Sequence, residues 1–493
     1  MGNSSGPSMS ANSGNYNYYS DYSFISFSGF INENFFNIYP EKNLVQNLDI
    51  SHGITSNPFT FKKDAFLGLF LKSKYDGIGK REPIDLSIAL DISGSMFCTE
   101  EHEVKSRLDL AKEALIKLVS IMDNDDRLSL ITFNQKAKTI FGLSNKGEIE
   151  KSIKQYLEGI KAGGGTNLID AAIASLDNLN MNENNNKKKR IVFITDAYYD
   201  DTSEELFNLI KYNAEELKVP CTIMAISSES NITLADKLCH FNGCNYFTIT
   251  KSSDLENYLV QNFSYYFFPI AYQTKLKIKS DNAKIIKCIG GEKEFLDELS
   301  KEKNNLNENI IEYDLGTSFS TKMIKLEKNG TEKFYSKGGL ILLKISLDDL
   351  NKDEDIKFEF TLEYVQDDNN SKSSQNYSYI IKKEEKNNEF FKNDNIKKGI
   401  AIYYFVNALN YLVNSEKEKK NDPNIKNKEK DMKVLETRQV IGEYLKSNFG
   451  AEPDNEENER LFHNYMNLIE KRYEGFKKFI VKFYNLDAAP AVL

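Results

Sequence analysis

The hydrophobic pattern changes character along the chain, and each change predicts a different kind of element. Between residues 83 and 266, strand-like apolar runs alternate with amphipathic stretches: IDLSIALDI, VKSRLDLAKEALIKLVSIM, RLSLITF, GEIEKSIKQYLEGI, LIDAAIASLDNL, RIVFITDA, SEELFNLIKYNAEEL, CTIMAIS and NYFTI. Strands apolar on both faces and spaced by helices belong to a mostly parallel sheet covered on both sides, a doubly wound α/β domain. From 267 to 392 the helical period is lost, and runs such as TKLKIKS, GLILLKIS and IKFEFTLEYV alternate with period two. In the last of these, Ile356, Phe358, Phe360, Leu362 and Tyr364 fall on one face and Lys357, Glu359, Thr361 and Glu363 on the other, which predicts an antiparallel β-sandwich. The segment 24–82 holds short apolar runs, FISFSGFI and AFLGLFLK, that read as strands without partners of their own. Residues 393–493 return to a helical period, interrupted by the charged stretch 414–431. Residues 1–23 are Ser, Asn, Gly and Tyr with scarcely an aliphatic side chain, the makeup of a loose tail.

Composition narrows the function classes. A chain of 493 residues has room for about three structural units. Its 64 Lys and Arg against 73 Asp and Glu give a net charge of −9, without the basic excess of a nucleic-acid or anionic-membrane binder. Five cysteines with no CxxC spacing fit neither a disulfide framework nor a zinc ribbon, and suit a reducing compartment. No basic leader with an apolar core opens the sequence and no stretch reaches the ~20 apolar residues of a membrane span, so a soluble, cytoplasmic protein is expected. The opening Met1-Gly2-Asn3-Ser4-Ser5-Gly6 carries Gly6 where an N-myristoylation signal has Ser or Thr, which argues against acylation of Gly2 and against membrane association.

The informative chemistry lies in Leu90-Asp91-Ile92-Ser93-Gly94-Ser95-Met96. Asp91 ends the first strand of the α/β pattern, at the carboxyl end where open α/β sheets place their sites. A tight turn at Gly94 lets the Ser93 and Ser95 hydroxyls join Asp91 in a nest of hard oxygens suited to Mg²⁺. Gly163-Gly164-Gly165-Thr166-Asn167 precedes a helix and aims Thr166 inward, and Asp196 closes the strand Arg190-Ile191-Val192-Phe193-Ile194-Thr195. Three loops are thereby expected to converge on one sheet edge.

Asp-x-Ser-x-Ser, then a Thr after glycines, then an Asp closing a later strand, resembles the von Willebrand factor type A domain with its metal-ion-dependent adhesion site. The wording DISGSM is most similar to the branch with the inter-alpha-trypsin inhibitor heavy chains and intracellular proteins of plants and protists. The resemblance implies a domain at 83–266, with Ser93, Ser95 and Thr166 ligating Mg²⁺ (or Mn²⁺ or Ca²⁺) and Asp91 and Asp196 coordinating directly or through water. It implies an open coordination position for an Asp or Glu of a protein partner, and no enzymatic activity. It also implies a β-sandwich drawing strands from both sides of the domain, followed by helices, which would give the strands of 24–82 their partners in 267–392. Asn167 stands where the family commonly has Asp.

Competing readings of the same residues are a Mg²⁺-dependent hydrolase or phosphotransfer enzyme built on Asp91 and Asp196, and a scaffold binding through helices at 433–483. A phosphatase of that kind needs an Asp two residues after its nucleophile, where this chain has Ser93. The glycine run lacks the Gly-Lys-Ser/Thr ending of a phosphate loop. His52, His102, His240 and His463 have no ligand spacing, and Cys239, His240 and Cys244 read as packed side chains.

Overall fold

The computed structural model describes residues 31–32, 34–37, 46–56, 64–79, 81–100, 103–179, 187–196, 204–226, 241–249, 252–289, 310–328, 331–346, 354–367, 371–382 and 393–421, with a few isolated positions besides. The tail expected at 1–23, the run at 24–30 and most of the helical stretches expected after residue 431 lie outside the described residues.

Three strands come first: β1 (Phe35–Asn37), β2 (Leu48–Ser56) and β3 (Asp64–Ser73). The α/β part follows as β4 (Ile84–Asp91), α1 (Arg107–Ile121), β5 (Arg127–Phe133), β6 (Ala137–Asn145), α2 (Lys146–Glu158), α3 (Leu168–Asn178), β7 (Lys188–Thr195), α4 (Glu204–Glu215), β8 (Cys221–Ile226) and β9 (Asn245–Ile249). Then come β10 (Pro269–Asp281), β11 (Ile285–Ile289), β12 (Ile310–Phe319), β13 (Met323–Lys328), β14 (Thr331–Lys337), β15 (Leu340–Ser346), β16 (Ile356–Gln366), β17 (Lys372–Ile381) and helix α5 (Asp394–Asn421).

The mostly parallel sheet expected between 83 and 266 is present, in the order β6-β5-β4-β7-β8-β9, with β6 as its antiparallel edge. Every residue of β4 is buried, because the strand is central and covered on both faces. Successive side chains point to opposite faces, so Ile88 and Leu90 pack with Leu115, Leu118 and Ile153 of α1 and α2. Ala89 faces the other way, into a core with Ala171, Ala172 and Phe207 of α3 and α4.

Two four-stranded antiparallel sheets have the orders β12-β10-β16-β17 and β11-β15-β3-β2. The second combines strands from before and after the α/β part, with Leu343 of β15 opposite Leu67 of β3. The two sheets share one core, where Leu67, Leu69 and Leu71 meet Leu276, Ile278, Phe358 and Phe360. The alternation read in β16 holds: Ile356, Phe358, Phe360, Leu362 and Tyr364 are buried, and the residues between them are half-exposed. β1 departs from its neighbours in the sequence and pairs with the β13–β14 hairpin in a small third sheet. Its place is fixed by α5, since Lys398 Nζ donates to the Phe35 carbonyl at 2.7 Å and Asn395 Nδ2 to the Asn37 carbonyl at 2.7 Å.

Helix α5 covers the outer face of the second sheet, with Ile396, Ile400 and Tyr403 packed on Phe66, Phe70, Leu340 and Leu342. The approach is close enough to demand glycine: a Cβ on Gly399 would lie 2.3 Å from Leu340 Cδ2, and one on Gly68 would lie 2.6 Å from Ile396 Cγ1. At the amino ends of the parallel strands the buried Arg190 donates to the carbonyls of Phe267 and Gly243, each at 3.0 Å, and Lys188 pairs with Asp367 at 2.7 Å. The Lys188–Asp367 pair and the Gly243 N–H, which donates to Thr317 Oγ1 of β12 at 2.8 Å, fasten the α/β part to the antiparallel sheets, while Arg190 braces the chain at Gly243 and Phe267.

The glycine contact gives a stability test. Gly399→Ala gains about 1 kcal/mol of helix propensity, but overlap with the buried Leu340 costs about 1–3 kcal/mol. Urea unfolding is expected to show a net loss; a more stable variant would mean that Leu340 moves aside freely.

Candidate metal centre

Parallel pairing of β4 with β7 sets Leu90 opposite Ile194, so the two strands end side by side and deliver Asp91, Thr195 and Asp196 to one edge. Asp91, Thr195 and Asp196 are all fully buried. Asp91 Oδ2 accepts from the Thr195 hydroxyl at 2.6 Å, and Asp91 Oδ1 from the Ser93 backbone N–H at 2.7 Å. After Asp91 the chain turns through a short 3₁₀ segment, Gly94–Phe97, and the Ser93 and Ser95 hydroxyls stand 3.1 Å apart.

The glycine run docks on this turn through its backbone. Gly94 N–H donates to the Gly164 carbonyl at 2.9 Å and Gly163 N–H to the Ile92 carbonyl at 2.7 Å, which brings in the half-buried Thr166 two residues on. Gly164 has φ +94°, and a Cβ there would lie 2.8 Å from Gln135 Oε1 and 3.0 Å from Asn134 Nδ2. Only glycine suits that backbone and that space. Asn167 is the N-cap of α3, its side chain accepting from Asp170 N–H at 3.0 Å. Helix capping therefore accounts for a short polar acceptor at this position, a task Asn and Asp perform equally well.

Two residues of the site went unread in the sequence. Thr195 adjoins Asp196 in the strand motif, so its position was available and only its donation to Asp91 was not. Arg107 carries no local signal, yet its Nη1 donates to Asp196 Oδ2 at 2.9 Å, its Nε to Glu100 Oε1 at 2.6 Å, and Nη1 also lies 3.5 Å from the Ser95 carbonyl. The other oxygen of Asp196, Oδ1, is buried and accepts no hydrogen bond among the described residues.

An orphaned buried carboxylate oxygen beside a second buried carboxylate and a pair of hydroxyls fits a hard divalent cation, which such oxygens ligate. Burial pushes the Asp91 carboxyl up to about 6, against the hydrogen bonds from Thr195 and Ser93 and aided by the charge of Asp196. A cation would relieve both effects. Among the described residues no three His, Cys, Asp or Glu gather as a metal cluster, and the oxygen set here is of another make, two carboxylates with hydroxyls. Cys244 is a buried thiol accepting from Cys221 N–H at 3.3 Å; Cys239 and His240 lie outside the described residues.

The Asp91 shift has a sign that can be tested. Its carboxyl titrates above the ordinary 3.8 in the folded chain, so the associated stability is full below about pH 4 and is lost as pH rises through about 6. In EDTA, raising the pH across that window is expected to lower the melting temperature of the wild type relative to Asp91→Asn. Parallel curves for the two proteins would mean that Asp91 titrates as in the unfolded chain.

Residues 86–198 match the family model described as von Willebrand factor type A domain. An uncharacterized protein of Synechocystis sp. is 34% identical over 103 residues, covering 20% of this chain and 22% of that protein. Inter-alpha-trypsin inhibitor heavy chain H4 of Sus scrofa is 25% identical over 134 residues, covering 27% of this chain and 13% of that protein. The chain thus spans well under two thirds of both relatives. Among solved structures, a von Willebrand factor type A protein from Catenulispora acidiphila aligns with a TM-score of 0.42 and 12% identity, covering 74% of this chain and 80% of that one.

Proposed function

Residues 86–198 are a von Willebrand factor type A domain, and from that premise we propose that the chain is a metal-dependent protein-binding module. The observation that carries the reading is the buried Asp196 Oδ1, without a hydrogen-bond partner among the described residues, at the edge where Asp91, Ser93 and Ser95 are joined by hydrogen bonds. Mg²⁺, or Mn²⁺ or Ca²⁺ in its place, would be held by Ser93, Ser95 and Thr166, with Asp91 and Asp196 bound directly or through water. The ion would supply an electrophilic position for the carboxylate oxygen of an Asp or Glu on the partner.

The chain's own groups prepare that position. Thr195 and the Ser93 N–H fix both oxygens of Asp91, and the Gly94–Gly164 bond holds the glycine loop on the serine turn. Ser93 stands two residues after Asp91, where phosphotransfer would call for a second carboxylate, and this favours binding over catalysis. We further read β2 and β3 with β10–β12 and β15–β17 as one β-sandwich that serves as the domain's mount, β1, β13 and β14 forming their own sheet. A cytoplasmic setting is part of the same reading, supported by the four described cysteines being thiols.

The test is Mn²⁺ titration calorimetry, followed by capture of protein partners in Mg²⁺ and in EDTA. Wild type is expected to bind Mn²⁺ and to hold partners only with the ion, whereas Asp91→Ala with Ser93→Ala loses both. Removing Asp91 relieves the desolvation of a carboxylate but leaves the Thr195 hydroxyl and the Ser93 N–H without their acceptor, so circular dichroism checks the fold of the double variant and Ser95→Ala, which keeps Asp91, is the second variant. Capture unaffected by EDTA would reject the reading, and Mg²⁺-dependent turnover of p-nitrophenyl phosphate, lost in the variant, would replace it with an enzyme.

A further inference from the structure

Arg107 is a cation placed inside a site whose remaining side chains look built for another cation. Its side chain is 15% exposed, and the guanidinium bridges two buried carboxylates, Asp196 at 2.9 Å and Glu100 at 2.6 Å. It takes only Oδ2 of Asp196; Oδ1 stays buried and unpartnered among the described residues. We propose that Arg107 is a positioning residue that sets the charge of the metal centre: it holds Asp196 by one oxygen, leaves the other for the ion, and offsets the negative charge the ion would otherwise meet.

The inference rests on the metal reading above and adds a direction to it. A full set of uncompensated carboxylates binds a divalent ion tightly but neutralises it. With Arg107 on Asp196, the ion is held more weakly and keeps more positive charge toward the open side, where an acidic group from a partner would approach. Glu100 tunes the effect, because it shares the guanidinium and draws part of its charge away from Asp196. One positive charge removed beside a divalent ion at a solvent-facing edge changes affinity by about tenfold.

The experiment is Mn²⁺ titration calorimetry on the full chain at fixed ionic strength, with wild type, Arg107→Gln, Arg107→Lys and Glu100→Gln. Arg107→Gln is expected to bind Mn²⁺ about tenfold more tightly, and Arg107→Lys, which keeps the charge, to return toward the wild-type constant. Glu100→Gln, which leaves Arg107 less offset, is expected to bind several-fold more weakly. This opposite sign separates a charge effect from loosened structure, which would weaken both, and Arg107→Met is the second charge-removing variant should Arg107→Gln not fold. A wild type that takes up no Mn²⁺ overturns the metal reading and this inference with it. A wild type that binds, with Arg107→Gln unchanged or weaker, or with Glu100→Gln unchanged or tighter, overturns this inference alone.

Discussion

Parallel pairing of β4 with β7 forces two carboxylates out of water at the same sheet edge, and the arrangement around them follows from that constraint. An ionised carboxylate buried without compensation costs several kcal/mol, so each oxygen must find a donor or a cation. Asp91 is served by a hydroxyl from β7 and a backbone N–H from its own turn. Asp196 is served on one oxygen by a guanidinium from the first residue of α1. The partners come from different elements, which is why several loops converge there.

The rest of the α/β part makes this edge rigid. β4 is buried along its length between two layers of helices, so Asp91 has little freedom to relax toward water. Backbone hydrogen bonds from Gly94 and Gly163, together with the positive φ of Gly164, clamp the glycine loop to the serine turn. Lys188, at the other end of β7, pairs with Asp367 just beyond β16, and Arg190 holds Gly243, whose N–H donates to Thr317 of β12. One strand thus bears the mount at its amino end and the site at its carboxyl end.

The antiparallel sheets answer a different constraint. β2 and β3 carry apolar side chains that the α/β sheet does not bury, and they find cover only with strands more than two hundred residues later, as in the pairing of Phe66 with Lys344 and Leu67 with Leu343. Helix α5 then closes the outer face, and the glycines at 68 and 399 allow helix and sheet to approach where any side chain would overlap.

Much of this was legible in the chain, because periodicity is a local property. The two-faced apolar runs of β4 and β7, the alternation of β16 and the Asp-Ile-Ser-Gly-Ser turn report burial and geometry within a few residues of themselves. Asp91 and Asp196 could therefore be expected at one edge from strand ends alone, and Ser93 and Ser95 beside Asp91 from the turn that follows it. Arg107 could not, since on its helix it is one basic residue among several, and its reach to Asp196, 89 positions away, exists only after α1 packs on the sheet. The oxygen of Asp196 left without a partner, the separation of β1 into a third sheet and the role of Asn167 as a helix cap belong to the same class. They depend on which groups meet across the fold, and such meetings leave no period in the sequence.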